Sequence, residues 1–114
     1  HGGGKLGPRR MVDFAARLGR EVPDIFTLDL SLQDLIGAEV EFGKIDLAGV
    51  RAVAELLEMR PRIKRINLSW NSLNPESATA ISGALRLNRS LTSLDLYHNA
   101  IGPAGMAALA SAMQ

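Results

Sequence analysis

The fold is decided by residues 63–73, IKRINLSWNSL, because the same pattern returns at residues 91–101 as LTSLDLYHNAI. Both segments fit the template L-x-x-L-x-L-x-x-N-x-L, with aliphatic residues at the L positions, and each position recurs 28 residues later. Alternating apolar residues predict a strand. We expect the asparagine that follows to bind backbone groups where the chain leaves the strand. A strand signal that returns at a fixed interval predicts a repeat architecture.

A helix signal follows each strand signal. Aliphatic residues three or four positions apart share one helix face, and they are Val50, Val53 and Leu57, then Ala78, Ile81 and Leu85, then Met106, Leu109 and Met113. Proline is tolerated in a first helical turn, so Asn74-Pro75 and Gly102-Pro103 predict helix starts. We expect helices at about 48–59, 76–87 and 103–113.

Two registers are open for the first repeat. One fills the template with Ile25, Leu28, Leu30, Gln33 and Leu35, and makes residues 36–45 an insertion. The other keeps the interval of 28 with Leu35, Ala38, Val40, Gly43 and Ile45. We favour the first register, because alanine and glycine are poor occupants of aliphatic and asparagine positions.

The pattern predicts a flexible tail at residues 1–7 and one domain at 8–114. The domain divides into a helix at 8–20 and repeats at 25–62, 63–90 and 91–114. The N-terminus lacks an initiator methionine, and no polar capping repeat follows the last helix. We therefore expect the chain to be a fragment of a larger protein.

These residues carry a family resemblance over about 8–114: the chain resembles leucine-rich-repeat proteins of the ribonuclease-inhibitor class. Leu94-Asp95-Leu96 and Asn99-Ala100-Ile101-Gly102 are similar to the class consensus. Residues 23–30, PDIFTLDL, resemble the entry to the repeat domain of tropomodulins. The resemblance implies an α/β solenoid, a right-handed β-α superhelix with a parallel sheet on the concave side and helices on the convex side. It also implies a protein-binding function.

Composition limits the chemistry. The chain has no cysteine, which excludes cysteine catalysis and cysteine-based metal sites, and suits a reducing, cytoplasmic location. Thirteen basic and twelve acidic residues give a net charge of +1, so no strong field attracts nucleic acid. No apolar run approaches the ~18 residues of a membrane span.

We find no complete catalytic motif in this sequence. There is no P-loop, no G-x-G-x-x-G and no G-x-S-x-G elbow. His98 has carboxylate neighbours at Asp95 and Asp29 but no nucleophile. We expect a protein that is not an enzyme, with no metal, no cofactor, no small-molecule substrate, and neither nucleic acid nor membrane as partner.

Outward strand positions form columns across the predicted sheet. One column holds Leu32, Trp70 and His98, the next holds Ser31, Ser69 and Tyr97, and a third holds Asp29, Asn67 and Asp95. Tryptophan and tyrosine are typical interface anchors, although Trp70 could instead pack within the protein. The third column is either a strip that accepts hydrogen bonds from a basic partner or a solvated face.

The sequence thus predicts a module that binds a protein partner through its strand face. The predicted partner-binding residues are Trp70, Tyr97, His98, Asp95, Asn67, Arg65 and Asp29. Three alternatives are open: tropomodulin-like actin binding, part of a GTPase-activating regulator, and a structural spacer without a binding face.

Overall fold

Strands and helices alternate along the chain in this computed structural model, which describes residues 5–21, 25–38, 44–59 and 62–113. Their order is α1 (Gly7–Glu21), β1 (Thr27–Asp29), α2 (Ala48–Met59), β2 (Arg65–Asn67), α3 (Pro75–Leu87), β3 (Ser93–Asp95) and α4 (Gly102–Ala112). The strands form one parallel sheet in the order β1-β2-β3. The helices pack side by side in chain order against it. The result is the predicted α/β solenoid, with one layer of strands and one of helices.

Strand pairing decides the register of the first repeat. Leu28 lies opposite Ile66, and Ile66 lies opposite Leu94. β1 therefore lies 38 residues before β2, whereas β2 lies 28 before β3, as the favoured register predicts. Val40 and Gly43 of the rival register, like Pro23 and Asp24 of the tropomodulin-like segment, lie outside the described residues.

The helices begin close to the predicted positions. α1 extends one residue beyond the prediction at each end, and α2 has the predicted bounds. α3 begins at Pro75 because Asn74 caps it: the Ser77 backbone N–H donates to Asn74 Oδ1 at 2.9 Å, and the Asn74 backbone N–H donates to Ser77 Oγ at 3.3 Å. Ser77 thus takes the place of the glutamate usual in a capping box. α4 starts after Ile101, which makes no side-chain cap.

The core lies between the sheet and the helices. Its largest fully buried residues come from both layers and from the turns between them: Leu30, Ile66 and Leu68; Val50, Val53, Leu57 and Ile81; and Leu35, Ile63 and Leu73. These residues belong to one continuous core shared by all the repeats, as expected of a solenoid whose single repeats are not stable alone.

Two residues that we assigned to the apolar helix stripe are not buried. Met106 is 50% exposed, and Met113 lies just past α4 and is 42% exposed. Ala78 and Leu85, at the equivalent positions of α3, are buried. The difference has a simple cause: α4 packs over α3, whereas no described residue packs over the far side of α4.

The asparagine after each strand binds two repeats at once, and this confirms its predicted role. Asn71 Oδ1 accepts hydrogen bonds from the backbone N–H groups of Gln33 (3.0 Å) and Leu35 (3.3 Å). Its Nδ2 donates to the carbonyls of Leu30 (2.8 Å) and Leu68 (3.0 Å).

Asn99 repeats this arrangement one repeat further on. Its Oδ1 accepts from the backbone N–H groups of Asn71 and Leu73, both at 3.0 Å. Its Nδ2 donates to the carbonyls of Leu68 (2.9 Å) and Leu96 (3.0 Å). Each asparagine therefore satisfies backbone groups in the loop of the preceding repeat as well as in its own.

Gln33 takes the asparagine position in the first repeat and binds the chain that enters α1. Its Oε1 accepts from the Leu6 backbone N–H at 3.0 Å, and its carbonyl accepts from Gly7 at 2.8 Å. The longer side chain reaches this segment where an asparagine would not. Leu6 and Gly7 are thus bound to the first repeat, and the domain boundaries stay predictions.

We expect Asn71→Ala to destabilise the protein by about 3 kcal/mol, because it leaves several buried backbone groups without partners. Chemical denaturation followed by circular dichroism measures this loss. Thr79→Ala is the control, since Thr79 is an exposed polar residue whose hydroxyl bonds only within its own helix. Equal unfolding midpoints for the two variants would contradict the role assigned to Asn71.

Candidate partner-binding surface

The outward strand positions form two rows across the sheet. Thr27, Arg65 and Ser93 are paired in the first row, and Asp29, Asn67 and Asp95 in the second. All are exposed except Asn67, which is half-buried. Four of the predicted partner-binding residues therefore lie together on the strand face.

The residues of the second row are the last residues of their strands. Asp29 Oδ1 accepts from the backbone N–H of Ser31 at 3.0 Å and from its hydroxyl at 2.7 Å. Asn67 binds Ser69 in the same way, at 2.9 Å and 2.6 Å. Asp95 Oδ1 accepts from the Tyr97 backbone N–H at 2.9 Å. These side chains start a turn two residues on, so each strand is three residues long.

Our prediction of Ser69 as an outward residue was wrong. Ser69 is only 6% exposed, because its hydroxyl turns back to Asn67 and the strand has already ended. Tyr97 occupies the equivalent position and stays exposed, since its side chain is too large to fold back in this way.

Three large residues in these turns have left-handed backbone. The φ angles are 58° at Leu32, 58° at Trp70 and 55° at His98. Non-glycine residues adopt this conformation at a cost of roughly 1–2 kcal/mol each. The turns stack through backbone hydrogen bonds, from Leu32 N–H to the Ser69 carbonyl (3.1 Å) and from Trp70 N–H to the Tyr97 carbonyl (2.9 Å). The predicted column of Leu32, Trp70 and His98 is thus a column of equivalent turn positions.

Trp70, Tyr97 and His98 touch one another, and we call them the aromatic cluster. Trp70 and His98 stack, with ring centroids 3.7 Å apart and an interplanar angle of 11°. The Tyr97 ring stands edge-on to both, at 6.3 Å from Trp70 and 4.5 Å from His98. Trp70 keeps 47% of its surface exposed and Tyr97 keeps 66%. Trp70 therefore lies at the surface, stacked on His98, and its role in binding stays a prediction.

Asp29 and Asp95 are the two carboxylates among the outward strand positions. The hydroxyl of Ser31, followed by its backbone N–H, lowers the pKa of Asp29 below its ordinary value of 3.8, because both donate to the carboxylate. Asp29 is consequently ionised at neutral pH.

The surface is open rather than a cleft. Hollows of about 350, 380 and 510 Å³ lie elsewhere on the protein, and no predicted partner-binding residue lines them. Within the described ranges, no three metal-ligating side chains come together. None of the helices in the described part of the chain is long and apolar enough to cross a membrane.

Phe26 is an exposed residue that the sequence reasoning missed. It is half exposed at the entry to β1, where its carbonyl accepts from the Lys64 and Arg65 backbone N–H groups. Lys64 and Thr92 occupy the equivalent position in the other two repeats. A large apolar residue at a position that is polar in the other repeats could have indicated from the sequence that Phe26 is exposed.

The fold and the surface together define a β-α repeat solenoid that exposes a short strand face ending in aromatic residues. A leucine-rich-repeat family model matches residues 63–82 and 87–110, which are the second and third repeats. The second and third repeats are therefore leucine-rich repeats.

The actin-binding site 2 domain of leiomodin-1 is a similar solved structure. The TM-score is 0.68 at 24% sequence identity, over 88% of this chain and 53% of that one. This chain thus spans about half the length of that domain, and at this identity the likeness concerns the fold. The comparison with curated protein sequences gives no match.

We expect Ser31→Ala to raise the pKa of Asp29 toward 3.8, because the hydroxyl bond to the carboxylate is lost. A lowered pKa stabilises the fold above the pKa of the unfolded chain, and this stabilisation disappears as pH falls through the folded value. The free energy of unfolding of Ser31→Ala at neutral pH should therefore be lower than that of the intact protein, because part of this stabilisation is lost.

An NMR titration of the Asp29 carboxyl carbon measures this pKa. Ser69→Ala is the control, because it removes the same contact from Asn67, which does not titrate. An unchanged Asp29 pKa in Ser31→Ala would rule out the hydroxyl as the main cause.

Proposed function

We propose that this protein is an interaction module that binds a protein partner through the aromatic cluster and the adjoining strand face. The observation that carries the proposal is the packing of Trp70, Tyr97 and His98 against one another at the surface. Rings held in this way give a large contact area at little cost in side-chain entropy. The partner-binding residues are those named from the sequence, with the aromatic cluster at the centre and Asp29, Arg65, Asn67 and Asp95 beside it.

The backbone of the turns supports the same proposal. Left-handed conformation is easiest for glycine or asparagine, yet Leu32, Trp70 and His98 carry large side chains there. Residues held in strained conformations concentrate at functional sites. Selection for fold stability alone would favour smaller residues at these positions.

We further propose that the protein is not an enzyme and that it works in the cytoplasm. The first statement follows from the absence of a complete catalytic motif in the sequence. The second follows from the absence of cysteine, which suits a reducing compartment.

We expect the double variant Trp70→Asn, Tyr97→Ala to lose the protein partner that the intact chain retains from cell extract. Asparagine is chosen at position 70 because it tolerates the left-handed backbone. An affinity pull-down with mass spectrometry measures retention, and circular dichroism confirms the fold of each variant.

The matched control is Met59→Ala, Leu87→Ala, which removes two exposed apolar side chains at the C-terminal ends of helices. It should retain the partner. A partner that both double variants keep would move the binding site away from the strand face. The absence of any specific partner would favour a structural spacer.

Actin is the second candidate partner, and the likeness to the leiomodin-1 domain favours it. The tropomodulin-like segment at residues 23–30, which contains β1, points the same way. If actin is the partner, the intact chain should bind actin in co-sedimentation and monomer-binding assays, and the Trp70→Asn, Tyr97→Ala variant should bind much less. No binding to either form of actin would remove this candidate while leaving the general proposal intact. A GTPase-activating role has no comparable support, and we expect the chain to leave GTP turnover unchanged.

A further inference from the structure

The strand face carries two carboxylates in one row. Asp29 and Asp95 lie on either side of Asn67, and neighbouring strands are about 4.8 Å apart. The two aspartate Cα atoms are therefore roughly 10 Å apart across the sheet. The row lies at the C-terminal ends of the strands, immediately before the turns that hold the aromatic cluster.

No cation of the described part of the chain pairs with these carboxylates. The ion pairs that form there are Arg9 with Asp46 and Arg17 with Glu21, both on the helical side. Arg65 is the basic residue among the six outward strand positions, and it lies in the other row, between Thr27 and Ser93. That row is two residues, or about 6.6 Å, further from the turns. A cation at the aromatic cluster would therefore be nearer to the carboxylates than to Arg65.

The turns also fix how the carboxylates are presented. One oxygen of Asp29 accepts from Ser31 and one oxygen of Asp95 accepts from Tyr97. The second oxygen of each makes no hydrogen bond within the described residues, and both side chains are exposed. Asp95 is thus anchored to the backbone of a member of the aromatic cluster, with one oxygen free for a ligand.

We infer that the partner inserts a basic side chain, from a lysine- or arginine-containing peptide segment, between the aromatic cluster and the Asp29–Asp95 row. The cation lies on the ring faces of Trp70 or Tyr97, which attract it electrostatically, and it pairs with the free oxygen of Asp95 or Asp29. The inference rests on the proposed function and adds the chemistry of the partner. Charge complementarity is its basis: the site offers two unpaired anions beside aromatic rings.

The fluorescence of Trp70 tests the inference directly, because this is the only tryptophan of the chain. The probe is a pentapeptide, Gly-Arg-Gly-Arg-Gly, and the control is the same peptide with glutamate in place of arginine. The arginine peptide should change the emission of Trp70 saturably, with an affinity that falls as salt rises. The glutamate peptide should have no such effect.

The variant Asp29→Asn, Asp95→Asn should weaken binding of the arginine peptide by about tenfold or more. Asparagine preserves the turn, since Asn67 makes the same turn in the second repeat, so the variant should stay folded. Arg51→Gln is the control: it removes an exposed positive charge from α2, away from the strand face, and should leave binding unchanged.

Equal binding of the two peptides, or an arginine-peptide affinity unchanged in Asp29→Asn, Asp95→Asn, would overturn the inference. The partner pull-down distinguishes failure of this inference from failure of the proposed function. A partner lost by Trp70→Asn, Tyr97→Ala but kept by Asp29→Asn, Asp95→Asn leaves the binding surface in place and refutes the basic segment. A partner kept by both variants refutes both proposals.

Discussion

The side-chain amide of Asn71 is the interaction on which the rest of the structure depends. A turn that leaves a buried strand must satisfy its own backbone groups, and water does not reach them. Asn71 accepts from the backbone of Gln33 and Leu35 and donates to the carbonyls of Leu30 and Leu68. These bonds hold neighbouring turns in register with each other. The sheet alone could not do so, since each strand is only three residues long.

The proposed binding surface is a consequence of that register. Because the turns are stacked, left-handed residues of successive repeats lie one above another, and the rings of Trp70 and His98 meet face to face. The side chains of the Asp29–Asn67–Asp95 row accept hydrogen bonds from the backbone of the same turns. In Asp29 and Asp95, one carboxylate oxygen therefore shapes the turn and the other is left for the proposed recognition.

Much of this arrangement was predictable because it follows from spacing. The interval of 28 located the helices to within a residue, and it brought Trp70, Tyr97 and His98 to adjacent columns. Spacing does not report where a strand stops, however. Ser69 was wrongly predicted to face outward, because the turn begins earlier than the alternation of apolar residues suggests. The side-chain oxygen of Asn67, which accepts from Ser69, starts that turn. Burial of Met106 was also misjudged, since burial depends on what packs against a helix and not on its own periodicity.

The hydrogen bonds of the asparagines give the solenoid a direction. Asn71 supplies an acceptor to the first repeat and Asn99 supplies one to the second. Ile101 is buried in the third turn, and no described residue accepts from its backbone N–H or from that of Asn99. The two sides of a repeat are therefore different: one side supplies side-chain acceptors to the preceding repeat, and the other side receives them from the following repeat. Loss of one asparagine therefore loosens the turn that precedes it in the chain, so the repeat before a substituted asparagine, and not the one after it, loses backbone partners.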